Sequence, residues 1–215
     1  MPEERWDDLP GRLIVVSGPS GSGKSTLVRR VVARPEIRAR LSVSATTRPI
    51  RPGEQEGRDY FFLSRPAFES ARDRGEFLEW AQVYGNLYGT PAGPVHDALA
   101  DGWCVVLEID VQGALQVRKR VPSALLVFID VPSLEVLEAR LRARATDDEA
   151  TIRRRLANAR AELEQASLYD LRVINDDLDR AEQELATIVM QHGCRTPVPT
   201  FGPQATLHNR RERAD

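Results

Sequence analysis

A nine-residue segment near the N-terminus has the residue types and spacing needed to hold a polyphosphate. It consists of Gly18, Pro19, Ser20, Gly21, Ser22, Gly23, Lys24, Ser25 and Thr26. Glycines at this spacing let consecutive backbone N–H groups turn toward one anion. The Lys24 ammonium supplies a mobile positive charge for the outer phosphates, and the Ser25 hydroxyl can ligate Mg²⁺. The segment therefore predicts a site for the phosphates of a nucleotide.

The residues on either side supply the context that this motif requires. An apolar run before the segment predicts a strand over 12–17, and the pattern after it predicts a helix from about 25 to 33 that Pro35 ends. The helix adds its positive N-terminal end to the phosphate site. A simple glycine-rich turn would explain the glycines, but it would not explain a lysine and two hydroxyls at the helix start.

Composition narrows the class of protein. The 215 residues are 41% apolar and 29% charged, and the net charge of −2 gives no basic field, so no nucleic acid partner is expected. The two cysteines, Cys104 and Cys194, favour a reducing compartment over a disulfide framework. The sequence contains no apolar run near the ~18 residues that span a bilayer and no signal-peptide pattern at its start. These features predict a cytoplasmic protein without a membrane partner, as a monomer or homodimer.

Strand and helix patterns alternate over 11–40 and 91–191, which predicts an α/β fold with a parallel sheet covered by helices on both faces. The predicted strands of this part, after the first, lie at 103–109, 124–129 and 173–174. Its predicted helices lie at about 91–100, 111–120, 133–143, 148–167 and 178–191. Thr90 is the expected N-cap of the helix over 91–100, and Thr146 with Glu149 forms a capping-box pattern for the helix over 148–167.

The interval 42–90 breaks this alternation and predicts a small antiparallel insertion. Strands are expected at 41–44, 60–63 and 77–83, followed by a hairpin turn and return over 84–89. Ser64 is the expected N-cap of a short helix. Arg48, Arg51 and Tyr60 place two guanidinium groups and a phenol in this region, where they could bind a phosphate monoester or form only a solvated basic turn.

Several segments of the chain resemble guanylate kinases, in the order in which that family has them. They are SATTRPIRPGE at 44–54, GRDY at 57–60, FLEW at 77–80, GNLYGT at 85–90, EIDVQG at 108–113 and VINDD at 173–177. The resemblance covers about residues 11–192. It implies a Mg²⁺-dependent enzyme that transfers the γ-phosphoryl group of ATP to GMP.

The resemblance also implies a division of the chain and a set of roles. A P-loop kinase core would comprise 11–43 and 91–192, with a helical lid at about 138–158 and a GMP-binding insertion at 44–90. The prolines, polar residues and arginines of 193–215 separately predict a disordered tail. Guanine would face Ser44, Glu79 and Thr90, and the GMP phosphate would be held by Arg48, Arg51, Tyr60 and Tyr88. Asp110 would lie near GMP and the water shell of the metal, and Ser25 would ligate the metal directly. ATP would be bound by the phosphate segment with Arg140 and Asn175.

Guanine recognition by these residue types is chemically reasonable. The Watson–Crick edge of guanine carries two adjacent N–H donors and an oxygen, so the Glu79 carboxylate can accept from both donors while the Ser44 hydroxyl donates to the oxygen. Adenine would place a ring lone pair against the carboxylate. A polar site of this kind can reject a mismatched base by about 10⁴-fold.

Arginines cluster around 140–155. Arg144 and Arg155 match the catalytic arginines of the family, with Lys24 and Arg51 as the other expected catalytic residues, whereas Arg142, Arg153 and Arg154 suit solvated helix faces. Ala143 and Ala145 stand where the family often has glycines, so a stiffer hinge is expected.

Two other functions remain open at this point. One is a non-catalytic interaction module with a guanylate-kinase-like fold, and the other is a P-loop kinase for a different nucleoside monophosphate. Lys24, Ser25, Arg48 and Arg51 favour an enzyme over a module, and Ser44 with Glu79 favours GMP over other acceptors.

Overall fold

Two sheets and their covering helices make up the part of the chain that the computed structural model describes, residues 6–143 and 148–193. The strands are, in chain order, β1 (Arg12–Ser17), β2 (Ala39–Leu41), β3 (Ala45–Thr46), β4 (Phe61–Phe62), β5 (Phe77–Val83), β6 (Asn86–Pro91), β7 (Cys104–Glu108), β8 (Leu125–Asp130) and β9 (Leu171–Ile174). The α-helices are α1 (Lys24–Val32), α2 (Arg65–Asp73), α3 (Ala92–Ala100), α4 (Val111–Arg120), α5 (Leu134–Ala143), α6 (Glu149–Glu164) and α7 (Leu178–His192). Short 3₁₀ turns lie at Trp6–Asp8 and Ala166–Leu168.

The larger sheet is parallel, with strand order β2-β7-β1-β8-β9. Strand β1 lies at its centre and alternates between two apolar layers. Ile14 and Val16 pack with α1 and α7, whereas Leu13 and Val15 pack with α3 and α4. These side chains are at most 5% exposed. Burial on both faces explains the continuous apolar runs in the sequence, and the predicted α/β fold with helices on both faces is confirmed.

The smaller sheet has strand order β4-β3-β6-β5 and belongs to the insertion. Strand β6 pairs antiparallel with β3 and with β5, whereas β3 pairs parallel with β4. The insertion is therefore a mixed sheet rather than the purely antiparallel one expected. Its own small core is buried beneath α2 and includes Phe68 and Phe77, whose rings stack with centroids 4.4 Å apart.

Two strand boundaries differ from the sequence expectation. The predicted strand over 41–44 is not continuous, because β2 ends at Leu41 and β3 begins at Ala45. Residues 42–44 cross from one sheet to the other. The alternation of Leu41 and Val43 with serines is typical of a single strand. In the structure, however, β2 belongs to the larger sheet and β3 to the smaller one, so the chain leaves one sheet before it enters the other.

Two helix starts also differ. Thr90 does not cap α3: it lies in β6, its hydroxyl bonds to Glu79, and the N-cap is Pro91, which makes no side-chain cap bond. Helix α6 is capped by Asp148, which accepts from the Thr151 N–H at 2.7 Å. Thr146, the expected cap, lies outside the described residues. The Ser64 cap of α2 is present, with its hydroxyl accepting from Ala67 N–H.

Truncating the aromatic core of the insertion should destabilise it. Phe68 is fully buried, so we expect Phe68→Ala to lower the free energy of unfolding by about 3–5 kcal/mol through lost apolar burial and a residual cavity. Urea denaturation followed by circular dichroism would measure the change. Ile50→Ala is the matched control, since Ile50 is an apolar side chain 54% exposed. Equal effects of the two substitutions would contradict the assignment of this core.

Candidate active site

The phosphate segment forms a backbone loop at the carboxyl end of β1. Gly18 has φ 141° and Gly23 has φ 89°, in the region that favours glycine. A β-carbon at Gly18 would lie 2.1 Å from the Ile129 carbonyl oxygen, so no larger residue fits there. A hollow of about 120 Å³ lies within the loop and is lined by Ser20, Gly21, Gly23, Lys24, Ser25 and Thr26. The predicted phosphate residues therefore surround a common space.

The start of α1 is left open toward this hollow. Its N-cap is Gly23, which makes no side-chain cap bond, whereas α2, α4, α6 and α7 begin with capping Ser or Asp side chains. The first N–H groups of a helix need partners that the helix itself cannot supply. An uncapped N-terminus next to glycines is a site for an anion.

Lys24 lies across the loop with its Nζ donating to the carbonyl oxygens of Gly18 at 2.6 Å and Pro19 at 3.2 Å. An ammonium has three donors and no acceptors. The side chain is thus held over the hollow by carbonyl contacts that phosphate oxygens could replace.

Asn175 braces the loop from β9. It is 4% exposed, and its Nδ2 donates to the Ser22 carbonyl at 2.7 Å. A β-carbon at Gly23 would lie only 2.4 Å from the same nitrogen. Arg140 of α5 donates to the Asn175 carbonyl at 2.8 Å. Both residues predicted to contact ATP thus support the loop from outside.

The Ser25 hydroxyl faces carboxylates at the end of β7. It donates to Glu108 Oε1 at 2.5 Å. Asp110, two residues beyond, caps α4 by accepting from the Gly113 N–H at 2.8 Å. Hydroxyl and carboxylate oxygens are the ligands that Mg²⁺ prefers, so the donor set fits that ion.

The smaller sheet aligns the residues predicted to read a base. Glu79 of β5 lies opposite Thr90 of β6, and the Thr90 hydroxyl donates to Glu79 Oε1 at 2.6 Å. Directly opposed residues share a face of a sheet, so Thr90 and Glu79 form one row across it. Ser44 comes directly before Ala45, the first residue of β3, which pairs with Gly89.

Glu79 is an acid in an unusually dry position, only 4% exposed. Burial raises the pKa of its carboxyl to about 7, and the nearby Asp110 charge adds to the rise, while the hydrogen bond from Thr90 opposes it. Burial also raises the pKa of Asp110, an effect that the Gly113 N–H and the Lys24 charge oppose. Both carboxyls would be better stabilised as anions by additional N–H donors.

A second group of predicted residues lies between the β3–β4 connection and β6. Arg48 is 9% exposed, with its guanidinium 5.4 Å from the Tyr60 ring centre, and the Tyr60 and Tyr88 rings lie 6.0 Å apart. Glu54 holds the loop by accepting from Arg48 Nη2 at 2.7 Å and from the Arg51 backbone N–H at 2.8 Å. The Arg51 side chain lies exposed beside them. The arrangement presents guanidinium and phenol donors together.

One cavity touches both halves of the site. It has a volume of about 370 Å³ and is lined by Ser25, Arg29, Leu41, Ser42, Val43, Ser44, Arg58, Asp59, Tyr60 and Glu108. It thus joins the start of α1 and the end of β7 to the insertion.

The comparisons with known proteins agree with this geometry. The family model described as guanylate kinase matches residues 10–192. The chain belongs to the guanylate kinase family.

Individual guanylate kinases are similar along most of their length. The chain is 52% identical to the guanylate kinase of Rubrobacter xylanophilus over 83% of this chain and 93% of that protein. It is 54% identical to that of Gloeobacter violaceus over 84% and 87% of the two chains. The crystal structure of guanylate kinase from Anaplasma phagocytophilum superimposes with a TM-score of 0.70 at 32% identity, covering 86% of this chain and 88% of the other. The resemblance seen in the sequence is confirmed, and nothing here favours an interaction module or another kinase.

The arginines expected in a guanylate kinase lid are only partly described. Arg155 lies half-buried on α6, and Arg144 lies outside the described residues. Arg142 pairs with Glu138 and, through two hydrogen bonds of 2.7 and 2.9 Å, with Glu149 at the start of α6. These exposed ion pairs agree with a solvated role for Arg142.

Sequence reasoning missed Glu108 and Glu54 as members of the guanylate kinase site. Both residues lie within the segments that carry the resemblance. Glu108 accepts from Ser25 and Glu54 accepts from Arg48, and these two donors have residue types that indicate ligand binding more directly. The signal that could have found Glu108 is a carboxylate at the end of an otherwise apolar strand. Within the described residues no helix is both long and apolar enough to cross a bilayer.

The buried Glu79 should make this guanylate kinase less stable as the pH rises. A carboxyl whose pKa is higher in the folded protein than in the unfolded chain favours folding at low pH, and the benefit is lost as the pH rises to about 7. We therefore expect the free energy of unfolding of Glu79→Gln, measured relative to the parent, to be about 2–3 kcal/mol greater at pH 8 than at pH 5. The size of this change follows because a difference of one pKa unit is worth about 1.4 kcal/mol. Urea denaturation at both pH values measures this.

Glu184→Gln on α7 is the control, because Glu184 is exposed. A stability difference between Glu79→Gln and the parent that does not change with pH would contradict the raised pKa.

Proposed function

We propose that the chain transfers the γ-phosphoryl group of ATP to GMP, giving ADP and GDP, with Mg²⁺ bound alongside the phosphates. The supporting observation is the cavity of about 370 Å³ that Ser25, at the uncapped end of α1, shares with Ser44 and Tyr60 of the insertion. Phosphoryl transfer needs two nucleotides to meet end to end. The cavity lies where the start of α1 and the end of β7 meet the insertion.

The phosphate loop serves the donor. Backbone N–H groups of residues 20–26 cradle the β- and γ-phosphates, and Lys24 exchanges its carbonyl contacts for phosphate oxygens. Asn175 keeps the loop in shape through its bond to the Ser22 carbonyl. Ser25 with Glu108 and, through water, Asp110 would hold the metal, which would supply positive charge to offset that of the phosphates.

The row across the smaller sheet serves the acceptor base. Glu79 accepts from the two N–H donors of guanine, with Thr90 fixing its Oε1 and Ser44 donating to the guanine oxygen. Guanine binding favours the ionised carboxylate, so below pH 7 it must displace the proton that the buried carboxyl retains. GMP affinity should accordingly fall as the pH drops below about 7.

Arg48, Arg51, Tyr60 and Tyr88 serve the acceptor phosphate. The GMP phosphate is an ionised nucleophile at neutral pH, so no general base is required. The residues act by orienting it and by offsetting repulsion between the two phosphate groups. Arg155, with Arg144, is assigned to the transferred group, where charge spreads over the equatorial oxygens.

A panel of acceptors tests this function. With ATP and Mg²⁺ held constant, release of ADP should be rapid with GMP and at least about 10²-fold slower with AMP, CMP or UMP, because a mismatched base leaves the buried Glu79 and Ser44 unpaired. A coupled assay for ADP gives the rates. Equal rates with AMP would overturn the base assignment, and failure with every acceptor by a folded protein would favour an interaction module.

The loop residue Lys24 allows donor and acceptor roles to be separated. We expect Lys24→Ala to lower kcat by about 10²–10³-fold, the usual cost of removing one group that stabilises transition-state charge, while GMP binding changes little. Rates and calorimetric GMP binding measure the two effects.

Lys119→Ala is the matched control, since Lys119 is the other lysine of the chain and lies exposed on α4. Equal loss of GMP binding and turnover in Lys24→Ala would contradict the division between donor and acceptor sites.

A further inference from the structure

A glycine in the first turn of α4 adjoins the carboxylate assigned to guanine. A β-carbon placed on Gly113 would lie 2.3 Å from Glu79 Oε2 and 2.9 Å from Glu79 Cδ. The next nearest atom is Ile109 Cδ1 at 3.3 Å. The space beside Gly113 is therefore occupied mainly by one side chain, the Glu79 carboxylate.

Helix geometry gives no other reason for a glycine here. Gly113 is absent from the residues with positive φ, so alanine could adopt its backbone conformation. Glycine inside a helix costs about 1 kcal/mol relative to alanine, so a packing or functional reason is needed. The approach of the carboxylate supplies that reason.

Several contacts keep α4 and β5 from moving apart to relieve a clash. The Gln116 side chain forms two hydrogen bonds with the backbone of Trp80, at 3.2 Å to its N–H and 2.7 Å to its carbonyl. Arg120 donates to the Phe77 carbonyl at 2.6 Å. The helix is thus fixed to the strand on both sides of Glu79 in the β5 sequence. A group added at Gly113 would have to displace the carboxylate itself.

The same residue also holds the second acid of the acceptor side. The Gly113 N–H donates to Asp110 Oδ1 at 2.8 Å. Alanine keeps that N–H, so Gly113→Ala changes only the space next to Glu79. The substitution therefore separates the two contributions of this residue.

We propose that Gly113 is a positioning residue for base specificity. Because glycine has no side chain, the Glu79 carboxylate can occupy the space beside Gly113, and in that position it can accept from both N–H donors of guanine. This inference rests on the proposed function for its link to GMP. Gly113 touches no substrate, and its effect passes through Glu79.

The kinetic test compares two acceptors. IMP lacks the exocyclic amine of guanine and so loses one of the two donors to Glu79. We expect Gly113→Ala to raise KM for GMP at least about tenfold, a change worth about 1.4 kcal/mol, with a smaller rise for IMP and a KM for ATP within about twofold of the parent. Gly93→Ala in α3 is the matched control, because Gly93 is also in the first turn of a helix and has no atom within 4 Å of its added β-carbon.

A double-mutant cycle with Glu79→Asp tests whether the effect passes through the carboxylate. Aspartate is one methylene shorter, so it leaves room for a β-carbon at position 113. The tenfold loss should shrink to about twofold or less when Gly113→Ala is added to Glu79→Asp. A purely structural role would instead give equal losses in both backgrounds.

The position of the carboxylate can also be read without any substrate. Carboxyl ¹³C NMR titration of the free protein should show that Gly113→Ala lowers the pKa of Glu79 from about 7 toward the ordinary glutamate range, since the displaced carboxylate is better solvated. Gly93→Ala should leave it unchanged. An unaltered Glu79 pKa in Gly113→Ala overturns the inference whether or not GMP is an acceptor, whereas failure of the parent with GMP overturns the proposed function alone.

Discussion

Parallel pairing of β1 with β7 and β8 is the constraint on which the half of the site proposed for the donor depends. The register places Val16 beside Glu108 and Ser17 beside Phe128, so the chain leaves all three strands at one edge of the sheet. The strands are buried on both faces, and after Arg12 at the start of β1 their polar side chains lie at their carboxyl ends. The phosphate loop, the Glu108 carboxylate and the bracing Asn175 come from distant parts of the sequence and meet because these ends coincide.

The half of the site that we propose for the acceptor is built on a different balance of forces. A base-reading carboxylate must be dry to discriminate strongly, yet removing an ionised carboxyl from water destabilises the folded protein. Glu79 is buried, and its raised pKa reflects the cost of removing the ionised carboxyl from water. One hydrogen bond from Thr90 partly offsets the cost. The apolar layers around β1, and the stacked Phe68 and Phe77 beneath the small sheet, supply stability that this site does not.

Much of the fold could be predicted because periodicity and local motifs reflect local physics. The strand, loop and helix around Gly18 to Thr26 followed from residue types alone, and the long apolar strands followed from two-sided burial. What could not be predicted depended on tertiary contacts. The segment over 41–44 alternates like a strand but crosses between sheets, and Thr90 has the type of a helix cap but donates to Glu79 instead. A glycine in the first turn of a helix does not indicate which residue it contacts, and the partner of Gly113 is 34 positions away in the sequence.

The acceptor insertion and the helix that carries Arg155 are also in direct contact. Tyr84, at the tip of the β5–β6 hairpin, has φ 49° and a ring that lies 5.2 Å from the Arg154 guanidinium. Asn158 donates to the Tyr84 hydroxyl at 3.4 Å. An exposed cation–π pair contributes about 0.5–1 kcal/mol, and a hydrogen bond of this length adds little. A contact of that strength can favour one relative placement of α6 and the insertion by only a few-fold, so ligands binding on either side can readily outweigh it.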